Sequence, residues 1–317
     1  MRVLFAGSGR FAIPSLSAVL ASKHELVGVV TQPARPAGRG AKLTPTPLAA
    51  AARQAALEVT ECPDINAPRA VEWMASLRPD AACVVDFGQM VRSGARDAAP
   101  KGAINLHGSL LPELRGAAPV NWAIIRGYAE TGVTVFHLVD RLDAGPIFLQ
   151  QPTDIRPDDT AEQLTERLAL LGAPLVCRTL DLLAEGAPDP RPQDDSRATK
   201  APRLKKSDGV IDWAAGAADV RNRIHGTWPW PGGQATFIRQ DGTELPVLIA
   251  RAAVAEGGAQ GEPGQVDGDG CVATGEGRVA LLEIKPAGRR LMPWRDFVNG
   301  YRVREGDRFV RPEGGRA

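Results

Sequence analysis

The chain lacks the features that would place it outside the reducing interior of a cell. Its four cysteines, Cys62, Cys83, Cys177 and Cys271, stand far apart with no C-x-x-C pair. That argues against a disulfide framework and against a thiolate zinc site. No apolar run approaches the roughly 18 residues that cross a bilayer. Arg2 onward reads at once as a strand, which leaves no room for a signal peptide. The formal net charge is only +1, and residues 1–202 hold 21 basic against 22 acidic side chains while 203–317 hold 17 against 15. A polyanion would have to meet a local cluster and not a whole-domain field. These absences predict a cytoplasmic, metal-free protein.

The 317 residues suffice for two domains, and a hydrophobic fraction of 44% with 24% charged residues is that of a globular protein. Strand patterns at 2–7, 25–31, 58–62, 80–85, 102–107, 131–139 and 146–150 alternate with helical patterns at 47–57, 67–77 and 117–127. Alternation of this kind predicts an α/β fold, a doubly wound and mostly parallel sheet. Leu164, Leu168, Leu171, Leu175, Leu180 and Leu183 predict a long helix over 160–185. Residues 186–202, rich in Pro, Asp, Gln and Arg, read as a linker. Beyond them short apolar runs alternate with Gly/Asp/Pro turns, which predicts a smaller C-terminal β-barrel. The expected division is 1–190, a linker at 191–207, and 208–317.

A further absence removes one cofactor. Gly7-Ser-Gly9 after the first strand resembles part of a dinucleotide fingerprint, but the second strand ends Val30-Thr31-Gln32 with no carboxylate for a ribose hydroxyl.

The chemistry lies elsewhere, in Asn105-Leu-His107-Gly-Ser109-Leu110-Leu111-Pro112 and Leu142-Asp143-Ala-Gly145. Strand alternation puts Asn105 and His107 on one face at a strand's carboxyl end, where open α/β sheets hold ligands. An amide, an imidazole and a carboxylate, with no serine or cysteine nucleophile in the pattern, suit direct acyl transfer. Asp143 read alone could equally be an Asx-turn residue.

These stretches resemble the 10-formyltetrahydrofolate-dependent formyltransferases. So do Phe5-Ala-Gly7, Thr31-Gln-Pro-Ala-Arg35 through Gly40, Arg115-Gly-Ala-Ala-Pro119, Glu130-Thr-Gly-Val-Thr134, Ile211-Asp-Trp213, Trp228-Pro-Trp-Pro231 and Pro286-Ala-Gly288. The 31–40 loop and the C-terminal part are similar to the branch that formylates methionyl-initiator tRNA. The resemblance implies a Rossmann-like catalytic domain with an OB-like barrel, and 10-formyltetrahydrofolate as formyl donor. It implies Asn105 on the oxyanion, His107 as proton carrier and Asp143 holding the imidazole. Folate would lie against Phe87, Gly88, Gln89, Met90, Ser109, Leu110, Leu111, Pro112 and Asp143. The tRNA contacts would be Arg35, Arg39 and Lys42 in a loop read as exposed and mobile, with Lys200, Arg203, Lys205 and Lys206 at the linker end.

The chain departs from the family in having Asp86-Phe87 for Ala-Tyr, Ser8-Gly9 for Thr-Pro, and Glu113-Leu114 for Arg and an aromatic. The prolines around Trp228 and Trp230 favour a packing corner over base stacking. Rival readings are formylation of a small amine (a nucleotide sugar or glycinamide ribonucleotide), formyltetrahydrofolate hydrolysis, or RNA binding without chemistry. A monomer is expected.

Overall fold

The computed structural model describes residues 1–37, 42–186 and 189–312. In chain order the elements are β1 (Arg2–Gly7), α1 (Ile13–Leu20), β2 (Glu25–Thr31), β3 (Arg35–Ala37), β4 (Lys42–Thr44), α2 (Pro47–Gln54), β5 (Thr60–Glu61), α3 (Pro68–Ser76), β6 (Ala81–Val85), α4 (Ser93–Arg96), β7 (Ala103–His107), α5 (Pro119–Ile125), β8 (Glu130–His137), β9 (Ile147–Asp154) and α6 (Ala161–Glu185). Then follow α7 (Ala217–Thr227), β10 (Gly233–Ile238), β11 (Glu244–Ala255), β12 (Val272–Ala273), β13 (Arg278–Pro286), β14 (Met292–Pro293), α8 (Trp294–Tyr301) and β15 (Arg308–Val310).

Two compact units result. The first comprises Met1–Pro119, Thr131–Thr153 and Thr165–Pro202; the second comprises Val120–Glu130, Asp154–Leu164 and the chain from Arg203 onward.

The first unit holds a seven-stranded sheet in the order β5-β2-β1-β6-β7-β8-β9. β1, β2, β5, β6 and β7 pair in parallel, and β8 runs antiparallel to β7. β6 is buried along its whole length and β1 from Val3 to Gly7, so both read as unbroken apolar runs. Leu4, Ala6, Val30, Met74, Ala82, Val84 and Ala103 form one continuous core. A Cβ at Gly172 of α6 would meet Leu106 at 2.5 Å, so α6 lies against the opposite side of β7. The Pro-rich stretch after α6 is tied back onto this unit. Arg191 bridges Ile147, and Lys200 bridges Arg115.

The 32–45 stretch contains a short ladder in which Arg35 pairs with Thr44 and Ala37 with Lys42. The sequence reading missed it because Arg35-Pro36-Ala37 carries no strand signal; Pro36 has no N–H to give a ladder.

In the second unit β12-β13-β11-β10-β15 form an antiparallel sheet, with β14 on β13. Val266 bridges Val272 beside one edge strand, and Gln265 bridges Arg308 in the other. Residues 265 and 266 thereby join the two edges into a nearly closed barrel, which removes exposed edges. Its core includes Ile211, Trp213, Ile224, Phe237, Phe297 and Phe309. Among the described residues no helix is long and apolar enough to cross a membrane.

Candidate active site

β7 supplies two polar side chains two residues apart. Leu106 turns toward α6, so alternation sends Asn105 and His107 to the other face. Asn105 Nδ2 donates to the Val84 carbonyl of the neighbouring strand at 3.0 Å. That bond fixes which end of the amide is the donor. An amide nitrogen has two hydrogens, so one donor position remains beyond the Val84 bond.

His107 is the last residue of β7 and is buried. Its Nε2 stands 3.0 Å from the Leu114 carbonyl, which can only accept, so Nε2 carries the proton. Nδ1 faces Asp143 Oδ2 at 3.9 Å, an ion-pair separation and not a hydrogen bond. The ring also meets Phe136 edge-on, with centroids 6.4 Å apart. The imidazole is therefore oriented by Leu114, and Asp143 contributes charge opposite the unprotonated nitrogen.

Asp143 has its own supports. Its Oδ2 accepts the Gly116 N–H at 2.8 Å, and Gln193 Nε2 donates to the carbonyls of Asp143 (2.9 Å) and Gly145 (2.7 Å). Asp143 has φ +50°, and Gly116 has φ +131°. A Cβ on Gly116 would also overlap the Ala201 carbonyl, so only glycine fits there.

The segment between His107 and Gly116 is fixed by a hydroxyl relay. Thr134 Oγ1 donates to Ser109 O at 2.7 Å while accepting Leu111 N at 3.0 Å and Gln150 Nε2 at 3.0 Å. Ser109 Oγ donates to Glu113 O at 2.7 Å, and Leu114 N donates to Thr199 Oγ1 at 2.8 Å. Leu111 is buried, whereas Leu110 and Pro112 are half-buried. The sequence reading missed Thr134, Gln193 and Thr199. Of these only Thr134 carries a sequence signal, as the last residue of the Glu130–Thr134 motif.

After β6 the chain turns at Asp86 (φ +47°). Phe87 is buried; its carbonyl accepts Gln32 Nε2 at 2.9 Å. Gly88 has φ +76°. The Gln89 amide is committed to the 62–65 loop, donating to Cys62 O and accepting from Ile65 N, both at 2.9 Å. Met90 is exposed. Asp86 keeps part of its surface in solvent, but its carboxyl group lies packed over Gly9, and burial there pushes its pKa up to about 6 against a hydrogen bond from the Phe11 backbone.

Arg35 and Lys42 are exposed on the β3–β4 ladder, and Arg203, Lys205 and Lys206 are exposed in the second unit. Lys200 is also exposed and belongs to the first unit. Arg39 lies outside the described residues. Among the described residues no group of three or more His, Cys, Asp or Glu side chains could hold a metal ion.

A Rossmann-like sheet carries an amide and an imidazole on β7, faced by a carboxylate from the segment between β8 and β9, in a chain that also builds an antiparallel barrel; this set suits acyl transfer. Residues 1–180 match the formyl transferase family and residues 203–302 match its C-terminal domain; the chain belongs to that family. It is 41% identical over 312 residues to a methionyl-tRNA formyltransferase of Solibacter usitatus (strain Ellin6076), covering 98% of each chain. It is 39% identical over 313 residues to the Geobacter sulfurreducens protein of that name, covering 98% of this chain and 96% of the other. Among solved structures, the sugar 3N-formyl transferase WlaRD shares the fold with a TM-score of 0.64 at 14% identity, over 92% of this chain and 99% of that one. HypX from Aquifex aeolicus gives 0.66 at 17% identity, over 96% and 48%.

Proposed function

We propose that the chain transfers a formyl group from 10-formyltetrahydrofolate to the α-amino group of methionine esterified to initiator tRNA. The observation that carries the chemistry is the pairing on β7 of a fixed amide donor with an imidazole whose Nδ1 faces Asp143 at 3.9 Å. The acceptor is supported by relatives named methionyl-tRNA formyltransferase that match over nearly the whole length of both chains.

In this mechanism the amine nitrogen attacks the formyl carbon and the carbonyl pair moves onto oxygen. The remaining Nδ2 hydrogen of Asn105 donates to that oxyanion. His107 Nδ1 takes the proton the amine loses, and the carboxylate of Asp143 balances the imidazolium while Leu114 holds Nε2–H. The imidazolium then gives the proton to N10 of the folate as the carbon–nitrogen bond breaks, leaving formyl-methionyl-tRNA and tetrahydrofolate.

Phe87, Gly88, Gln89 and Met90, with Ser109 through Pro112 and Asp143, would line the folate. Gln89, Ser109 and Leu111 have polar groups already engaged within the protein, so they would contribute shape and apolar surface. Arg35, Arg39, Lys42, Lys200, Arg203, Lys205 and Lys206 would contact tRNA phosphates. The catalytic domain would be 1–190, the linker 191–207 and the tRNA-binding barrel 208–317, working as a cytoplasmic monomer. The four free thiols suit that compartment.

The test is transfer of labelled formyl from 10-formyltetrahydrofolate to charged initiator tRNA. Formate released without an acceptor, or formylation of a small amine in preference to tRNA, would replace this reading.

A further inference from the structure

Residues 228–232 join α7 to β10, and they treat their two indoles differently. Trp228 is half-buried, as a packing corner requires, whereas Trp230 is 57% exposed. Burying an aromatic ring is a large favourable term, so an indole left in water forfeits it unless something else covers the ring. Trp230 is also held in place. Proline precedes and follows it, each with φ fixed by its ring. Pro231 and Gly232 are buried, and Gly232 N donates to Thr227 O at 2.9 Å.

The surface beside it is basic. A Cβ on Gly209 would stand 2.9 Å from Pro231 Cγ and would overlap the Gly232 carbonyl, so the 206–209 turn is packed against the residues that follow Trp230. Gln234 Nε2 donates to Lys206 O at 2.7 Å and Arg223 Nη1 to Asp208 O at 3.2 Å, which pins this turn. The Asp208 carboxylate is used within the turn, accepting Lys205 N at 2.6 Å. Lys205 and Lys206 are exposed.

We propose that Trp230 is a stacking platform for an unpaired nucleobase of the RNA substrate, with Lys205 and Lys206 on the flanking phosphates. The proposal rests on the tRNA reading above. An exposed π-face next to a lysine-bearing turn is what single-stranded nucleic acid requires: the ring accepts any base, and the ammonium groups follow the backbone. A lone indole flanked by lysines offers too little apolar area to hold a lipid surface.

Four proteins decide it: the wild type, Trp230→Ala, Trp230→Phe and Lys206→Ala, assayed for formyl transfer to charged tRNA. A wild type that does not use tRNA sinks the functional reading itself. With an active wild type, Trp230→Ala should raise KM for charged tRNA roughly ten- to a hundredfold. Its kcat, its KM for the formyl donor and its melting temperature should stay unchanged, because the ring is mostly exposed and stands outside the core cluster of the barrel. Trp230→Phe should recover most of the loss, and Lys206→Ala should reduce the salt dependence of KM. An unchanged KM in Trp230→Ala overturns the proposal. So does binding to anionic phosphatidylserine vesicles by the wild type that Trp230→Ala abolishes.

Discussion

A Cβ on Gly9 would overlap the carboxylate of Asp86. The backbone of Asp86 is bound to the same turn, since its carbonyl accepts Ser8 N at 2.9 Å and Gly9 N at 3.1 Å. Two departures from the family pattern, Ser8-Gly9 and Asp86, are therefore one structural event: the carboxylate occupies the volume that a side chain at position 9 would need. Gly9→Ala should displace the carboxylate from the Phe11 N–H and cost about 1–2 kcal/mol. Asp86→Ala should relieve it, so the double variant should be more stable than Gly9→Ala alone. Additive losses in urea unfolding would refute the coupling.

The raised pKa of Asp86 has a sign. A carboxyl group whose folded pKa is about 6, against 3.8 ordinarily, binds its proton more tightly in the folded state. Its contribution to stability improves as pH falls through 6 toward 3.8 and is least favourable above 6. Asp86→Asn keeps an acceptor for Phe11 and removes the charge. The variant should melt higher than wild type at pH 8, and the two should converge near pH 4. A constant difference across that range would assign the effect to packing.

At the site, charge and scaffold separate by substitution at Asp143. Asparagine can still accept the Gly116 N–H but presents no charge to His107. Asp143→Asn should therefore melt like wild type with a reduced kcat, while Asp143→Ala should lose both stability and kcat. Asn105→Ala removes the donor proposed for the oxyanion and should lower kcat about 10²–10³-fold. His107→Ala should be at least as impaired. Folded variants with wild-type turnover would remove Asn105 and His107 from the mechanism.

The spacing of Asn105 and His107 was legible because a strand has a period of two and His107 ends an apolar run. Their partners were not legible. Leu114 O and Gly116 N are backbone groups with no side-chain signature, and Gln193 reaches Asp143 across 50 residues from a stretch that reads as a linker. β1, β2, β6 and β7 were plain from their apolar runs, but the antiparallel sense of β8 was not, since alternation carries no direction. The bridges that close the barrel, at Gln265 and Val266, have no signature beyond the short apolar runs that follow the linker. α7 escaped notice because its buried face relies on small or polar residues, Ala217, Asn222, Gly226 and Thr227, with only Val220 and Ile224 as large apolar anchors.

The barrel contains a buried carboxylate, Asp267, paired with Arg278. Arg278 Nη1 donates to Asp267 at 2.9 Å and to Asp269 at 2.7 Å, while Nε donates to Glu256 O at 2.8 Å. Asp267 is almost wholly buried and Asp269 is exposed. Arg278→Leu leaves the buried Asp267 charge with only the Asp269 and Cys271 N–H groups as partners, which is costlier than removing a surface partner. Its melting temperature should fall well below that of Asp269→Ala. Adding Asp267→Asn should restore part of the loss, and equal shifts for Arg278→Leu and Asp269→Ala would show the pair to be superficial.

His225 makes the second unit acid-sensitive. The ring is 2% exposed, and its Nε2 accepts the Ala252 N–H at 3.1 Å, so that nitrogen is unprotonated in the fold. Burial, with Arg221 and Arg251 next in weight, pushes its pKa from 6.5 down to about 4, and Asp158 opposes the shift. A proton on Nε2 would break the Ala252 bond and add a third positive charge beside two arginines. Above pH 6.5 the ring is neutral folded or unfolded and contributes no pH dependence. As pH falls from 6.5 toward 4 the unfolded chain takes up a proton that the folded one refuses, so stability drops, by on the order of 3 kcal/mol in all. Surrounding carboxylates titrate in the same range, so the quantity to measure is the difference between wild type and His225→Gln in urea unfolding at pH 7.5, 6, 5 and 4. The variant starts less stable, and its deficit should shrink as pH falls. A deficit that stays constant from pH 7.5 to pH 4 would mean that His225 takes up its proton without disturbing the fold.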